Sequence, residues 1–112
     1  MTASRRLPNR RASTISFEVG GLAYTSTFSR FADGRIGELF LSNHKSNSQA
    51  DTNAQDAAKA FSFAVQHRAD PDAIRKALCR DGEGQASGPL GAALDLIAEA
   101  PAMGGPDWKQ TP

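Results

Sequence analysis

Cysteine is nearly absent, with Cys79 the one thiol in 112 residues. That excludes an internal disulfide framework, and it excludes a structural zinc site built on several thiolates. Long apolar runs are missing too, and none approaches the ~20 residues that cross a bilayer as a helix. An excess of one charge is also lacking: 13 Lys and Arg against 12 Asp and Glu leave a formal net charge of +1. A whole-molecule electrostatic draw toward nucleic acid needs a larger imbalance. The basic start is followed by "ASTISFEVGG", which alternates polar and apolar residues and is not the continuous apolar block of a secretory signal. An Arg-rich, acid-poor start also has the composition of a transit peptide, but Pro8 and the immediate strand pattern argue against one. The expectation is a soluble, cytoplasmic protein without a membrane partner.

What is present is pattern. Ile15, Phe17 and Val19 alternate with Thr14, Ser16 and Glu18, the period-two signature of a half-buried strand. Gly20-Gly21 then supplies two residues at ease with positive φ, as a two-residue hairpin turn requires. That turn sets Val19 opposite Leu22, Phe17 opposite Tyr24 and Ile15 opposite Ser26, with the apolar groups on one face. Asp33-Gly34 in "FADGRI" marks a second turn. A two-residue loop there pairs Phe28 with Leu39 and Ser26 with Leu41, and sends Phe31, Ile36 and Phe40 to the opposite face. A three-residue loop with a bulge instead turns Phe40 inward and Leu39 outward. Either way an apolar second face needs cover from helices, a partner subunit or a host protein.

"SNHKSNSQADTN", residues 42–53, reads as a polar loop leading into a helix. Thr52 and Gln55 have capping-box spacing, and Asp51 is the rival N-cap. The helix "AQDAAKAFSFAVQHR" carries Ala54, Ala57, Ala58, Phe61 and Val65 on one side and Ala60 and Phe63 on another, a pattern expected of a buried helix. Asp70-Pro71 opens a short helix through "DAIRKALCR", with Ile74, Ala77 and Leu78 inward. "DGEGQASG" breaks the chain, and "PLGAALDLIAEA" forms a third helix with Leu90, Ala93, Leu94 and Ile97 inward. The expected organisation is a basic flexible arm over 1–12, a folded body over 13–99 and a Pro- and Gly-rich flexible tail over 100–112. That tail carries Trp108, a residue that in such places sometimes docks on a partner. The fold class is α+β, a three-stranded antiparallel meander followed by about three helices packed on the sheet.

Four guanidiniums, Arg5, Arg6, Arg10 and Arg11, crowd the stretch "SRRLPNRRAS". They suit the phosphates of a nucleotide or nucleic-acid strand through bidentate contacts and counterion release. The plainer reading is a solvated arm, because no stacking aromatic lies within residues 1–16. Lys45 and Ser46, with Asn47 and Ser48, precede the first helix and are candidates to hold an anion at its positive end, although ordinary turn and cap formation explains the same residues. His44, His67, Asp51 and Cys79 share no close ligand spacing, so no metal site is expected. No Ser-His-Asp, Cys-His or paired-carboxylate arrangement can be argued, and no catalytic residue is assigned.

The order "LPNRR", "FEVGGLAYT", "FADGRIGELFLSN", "DAAKAFSFAVQH" resembles the C-terminal domain of vitamin B12-dependent (class II) ribonucleotide reductases. That module, the TSCPD domain, also occurs as short standalone proteins. The resemblance runs from about Leu7 to about Leu78, and "GPLGAALDLI" at 88–97 looks like the ending of the small standalone members. It implies an association with ribonucleotide reduction, and hence with deoxynucleotide and DNA synthesis. The parent activity is that of an oxidoreductase, a thioredoxin-dependent ribonucleoside-diphosphate reductase. Radical reduction needs one cysteine for the thiyl and a further thiol pair for the electrons. Cys79 alone does not fill those roles, so cobalamin and catalysis belong to the parent enzyme. The letters T-S-C-P-D are absent and no Cys/His cluster replaces them, so the metal binding predicted for the family is not expected here. The expectation is a non-catalytic accessory or interaction module that docks on a reductase or on itself through the apolar second face and takes nucleotide phosphate on its arm. The alternative is a nucleic-acid-binding or regulatory protein from a mobile element, using the same arm.

Overall fold

Two glycines set the first hairpin. Gly20 and Gly21 have φ of 62° and 78°, the doubly left-handed turn whose twist matches that of paired strands. They join β1 (Ser13–Val19) to β2 (Leu22–Arg30) with Val19 opposite Leu22, Phe17 opposite Tyr24 and Ile15 opposite Ser26, the expected register. In this computed structural model residues 12–99 are described. The arginines at 5, 6, 10 and 11 and Trp108 lie outside them.

The second hairpin combines two departures that cancel. Its loop holds three residues, since Phe31 N donates to Arg35 O at 2.7 Å. β3 (Ile36–Asn43) then carries a bulge: Arg30 faces Ile36, Ser29 faces Glu38, and Gly37 is extra. The longer loop shifts the register by one residue and the bulge restores it, so Phe28 still faces Leu39 and Ser26 still faces Leu41. Leu39 is fully buried and Phe40 is 52% exposed.

Between loop and bulge the faces are exchanged, which corrects the expected apolar second face. Ile36 sits opposite Arg30 on the inner face and joins the core. Phe31 is buried as well, with the Arg35 guanidinium 5.3 Å over its ring. Of the three residues assigned to that face, Phe40 alone stays exposed, and around it the outer surface is mostly Thr and Ser.

The helix α1 (Gln49–Gln66) starts one turn earlier than its capping-box spacing predicts. Ser48 is the N-cap, its Oγ accepting from Asp51 N at 3.1 Å, so neither Thr52 nor Asp51 caps the helix. Only one face of α1 is buried, through Ala54, Ala58, Phe61, Ser62 and Val65. Ala60 and Phe63 are exposed, Phe63 at 68%, because the sheet covers one side of the helix and nothing described covers the other. Phe63 packs instead on the His67 ring, centroids 4.5 Å apart.

Asp70 caps α2 (Pro71–Ala77) as its sequence predicts, but the helix ends before Leu78, and Ala77 faces out. A left-handed Gly84 and an Arg80–Ala86 bridge fold 80–86 into a tight loop. α3 (Pro89–Ala98) then buries Ala93, Leu94 and Ile97. The whole is an α+β fold: an antiparallel sheet in order β1-β2-β3 followed by three helices. Its core is Ile15, Tyr24, Phe28, Leu39 and Leu41 from the sheet, closed by Phe61, Val65, Leu94 and Ile97. No described helix is long and apolar enough to cross a membrane.

Candidate functional site

Asp51 organises the turn that carries Lys45 and Ser46. It is 6% exposed, and its carboxylate accepts from Asn43 N at 3.0 Å, Asn47 N at 3.2 Å and Gln55 Nε2 at 2.9 Å. The Asn43 amide foremost, then the Gln55 side chain, holds this carboxyl below its ordinary value, against the opposing effect of burial. The positive end of α1 therefore already faces a carboxylate of the chain. Lys45 and Ser46 are exposed around it. Lys45 N donates to Asn43 Oδ1 at 2.8 Å and Lys45 O accepts from Ser48 Oγ at 2.7 Å, the geometry of turn and cap.

The remaining ligand candidates stay apart. His44 Nε2 lies 2.9 Å from Thr25 Oγ1, and His67 Nδ1 lies 2.9 Å from Phe63 O. Among the described residues no three His, Cys, Asp or Glu side chains gather as a metal would need.

Two features escaped the sequence reading. One is an ion-pair cluster between α2, the 80–86 loop and α3. Arg80 grips Asp95 with both terminal nitrogens, each at 2.8 Å, and Arg75 adds 3.1 Å to Asp95 and 2.8 Å to Asp72. Arg80 first, then Arg75, lowers the Asp95 pKa against burial. Asp72 is lowered by Arg75 and Lys76, while the Arg75 and Arg80 guanidiniums are raised by the same pairings. The cluster borders an open cleft of about 780 Å³ that also takes in Phe17, Gly20 and Leu96. Its charges are spent on one another, and bidentate geometry makes it a tie between segments 15 residues apart.

The other is an apolar hollow of about 480 Å³. Tyr24 forms its floor, Ala50, Asn53 and Ala57 of α1 one wall, and Leu78, Cys79 and Gly88 to Gly91 the other. Alanines on α1 leave the space open, where larger side chains would fill it. Cys79 is an exposed free thiol at this wall. A glimpse of the hollow was available in the small residues of α1, but its far wall comes from residues 78–91, and only the tertiary fold brings the two together. Compared with known proteins, the chain matches no family model, no curated protein and no solved structure.

Proposed function

We propose that this chain is a TSCPD-type module, similar to the C-terminal domain of class II ribonucleotide reductases. It serves ribonucleotide reduction, and hence deoxynucleotide synthesis, as a non-catalytic accessory or interaction domain. In this reading it docks on a reductase or on a second copy of itself, and Arg5, Arg6, Arg10 and Arg11, with Lys45 and Ser46, hold nucleotide phosphate.

The state of the engaged carboxylates supports the non-catalytic part in one respect: none of the three is poised as a general acid. Asp51, Asp72 and Asp95 are all drawn below their ordinary values by donors that fix them in place. A general acid at neutral pH needs the opposite shift. The motifs behind the resemblance fall on elements of the fold: "FEVGGLAYT" spans the first hairpin turn, "FADGRIGELFLSN" the bulged second hairpin, and "DAAKAFSFAVQH" the C-terminal part of α1 and its cap, buried on one face through Ala58, Phe61, Ser62 and Val65.

The test is sedimentation of the full chain alone and mixed with a B12-dependent reductase, together with calorimetric titration by ATP and dATP. A complex with the reductase, or a dimer that binds nucleotide, is the expected result. A monomer that binds neither ends this reading, and salt-sensitive binding to DNA instead favours the mobile-element alternative.

A further inference from the structure

The hollow between α1 and α3 has a polar end that the fold leaves unanswered. Gly88, the N-cap of α3, offers no side-chain acceptor, and Pro89 at the first helical position has no N–H. The first helical bond runs from Ala92 N to Gly88 O at 3.0 Å. The amides of Leu90 and Gly91 therefore meet no acceptor among the described residues, although Gly91 is buried. Unanswered amides at a helix start carry a partial positive charge of about half a unit.

Tyr24 supplies an independent sign. It is 4% exposed, its ring stacks on Phe17 with centroids 5.8 Å apart, and it lines the hollow from below. No described residue hydrogen-bonds its hydroxyl, yet that oxygen is not one of the fully sealed, partnerless atoms, which are Ser26 Oγ and Asn43 Nδ2. A buried tyrosine ordinarily finds a partner for its hydroxyl. Tyr24 is among the residues that line the hollow, together with Leu90 and Gly91.

We infer that this hollow is a binding site for a small apolar monocarboxylate, whose carboxylate meets the Leu90 and Gly91 amides and the Tyr24 hydroxyl. Its hydrocarbon or aromatic body lies against Ala50, Ala57, Leu78 and Leu90. The volume of about 480 Å³ falls within the ~300–1,000 Å³ usual for small-molecule sites. No Lys or Arg lines the hollow, so about half a positive unit at the helix start would leave most of a phosphate dianion's charge unanswered, and a single negative charge suits it better. The inference does not rest on the ribonucleotide reductase reading, and either stands if the other fails.

Phenylacetate is the probe and phenylacetamide the control, followed by amide NMR of the full chain. Saturable shifts at Tyr24, Asn53, Leu90 and Gly91 with phenylacetate, and much weaker ones with phenylacetamide, are expected. Tyr24→Phe keeps the ring and weakens binding roughly 5–10-fold, the loss of one hydrogen bond. Ala57→Leu fills the hollow and abolishes binding. The single cysteine gives a second readout, because bound phenylacetate slows alkylation of Cys79 by iodoacetamide. Equal binding of acid and amide overturns the carboxylate assignment. Absence of shifts at millimolar probe, or shifts that track protein concentration without probe and so reveal a second copy seated there, overturns the site.

Discussion

The Ser62 hydroxyl bridges both backbone groups of Leu39, accepting from Leu39 N at 2.9 Å and donating to Leu39 O at 2.9 Å. Leu39 lies on β3, an edge strand, where such groups are otherwise unpaired. The same helix continues the work at both ends: Asp51 takes Asn43 N, and Gln66 Nε2 donates to Gly37 O at 3.0 Å. The side chains at 51, 62 and 66 are spaced by 11 and 4 residues, close to whole turns of a helix. α1 thus covers the core with its apolar stripe and closes the β3 edge with a polar one.

Ser62→Ala therefore strands a buried amide and carbonyl at once. The expected loss is about 1–3 kcal/mol of unfolding free energy, the cost of buried groups left unpaired. Phe63→Ala, one residue along but on the exposed side, should stay within about 0.5 kcal/mol of the parent. Urea unfolding of the two variants checks both numbers, and equal effects would remove the edge-sealing role from Ser62.

This polar stripe shows why the sequence is legible only in part. In the first hairpin, alternation over Ile15 to Val19 and the Gly20-Gly21 turn specify the same register, and that register is the one found. In the second, Phe28 opposite Leu39 is found for a different reason, since the three-residue loop and the Gly37 bulge offset each other. The faces of Phe31 and Ile36 depend on where the bulge falls, which local pattern does not show. The start of α1 is displaced because Ser48, Asp51 and Thr52 all have capping chemistry, and tertiary bonds from Asn43 and Asn47 to Asp51 decide among them. Arg80 and Asp95, like the two walls of the hollow, are brought together by packing between segments that carry no shared local signal.

Asp51 should make stability depend on acid. Its folded pKa is depressed, so its contribution is fully present above the unfolded carboxylate value of ~3.9 and is lost as pH falls through the lower folded value. Asp51→Asn should lower the urea midpoint at pH 7. The gap between parent and variant should narrow steadily as the pH drops below about 4. A gap that is constant across this range would mean that the charge of Asp51 does not matter and only its shape does.

Ser26 presents the reverse case. It is fully buried beneath the helices, between Ile15 and Leu41 in the register, and its Oγ has no hydrogen-bond partner among the described residues. A hydroxyl dehydrated on folding without recompense costs stability. Ser26→Ala removes the oxygen with little change of volume, and it should leave the domain unchanged or more stable by about 1 kcal/mol. Thermal and urea unfolding check the sign; a clear loss would show that the hydroxyl has a partner after all, such as an internal water.

Gly20 separates backbone strain from crowding. Its φ is 62°, and a Cβ built there meets nothing within 4 Å. Any cost of a side chain at this position is therefore conformational, and residues should rank by their tolerance of the left-handed region. Gly20→Asn, which keeps an Asn-Gly pair suited to this turn, should fold with near-parental stability. Gly20→Val should lose about 1–2 kcal/mol, the penalty a branched side chain meets in that conformation. Measured by urea unfolding, equal losses for the two variants would show that the turn abandons its doubly left-handed form. The register from Val19–Leu22 to Ile15–Ser26 would then be held by side-chain packing alone.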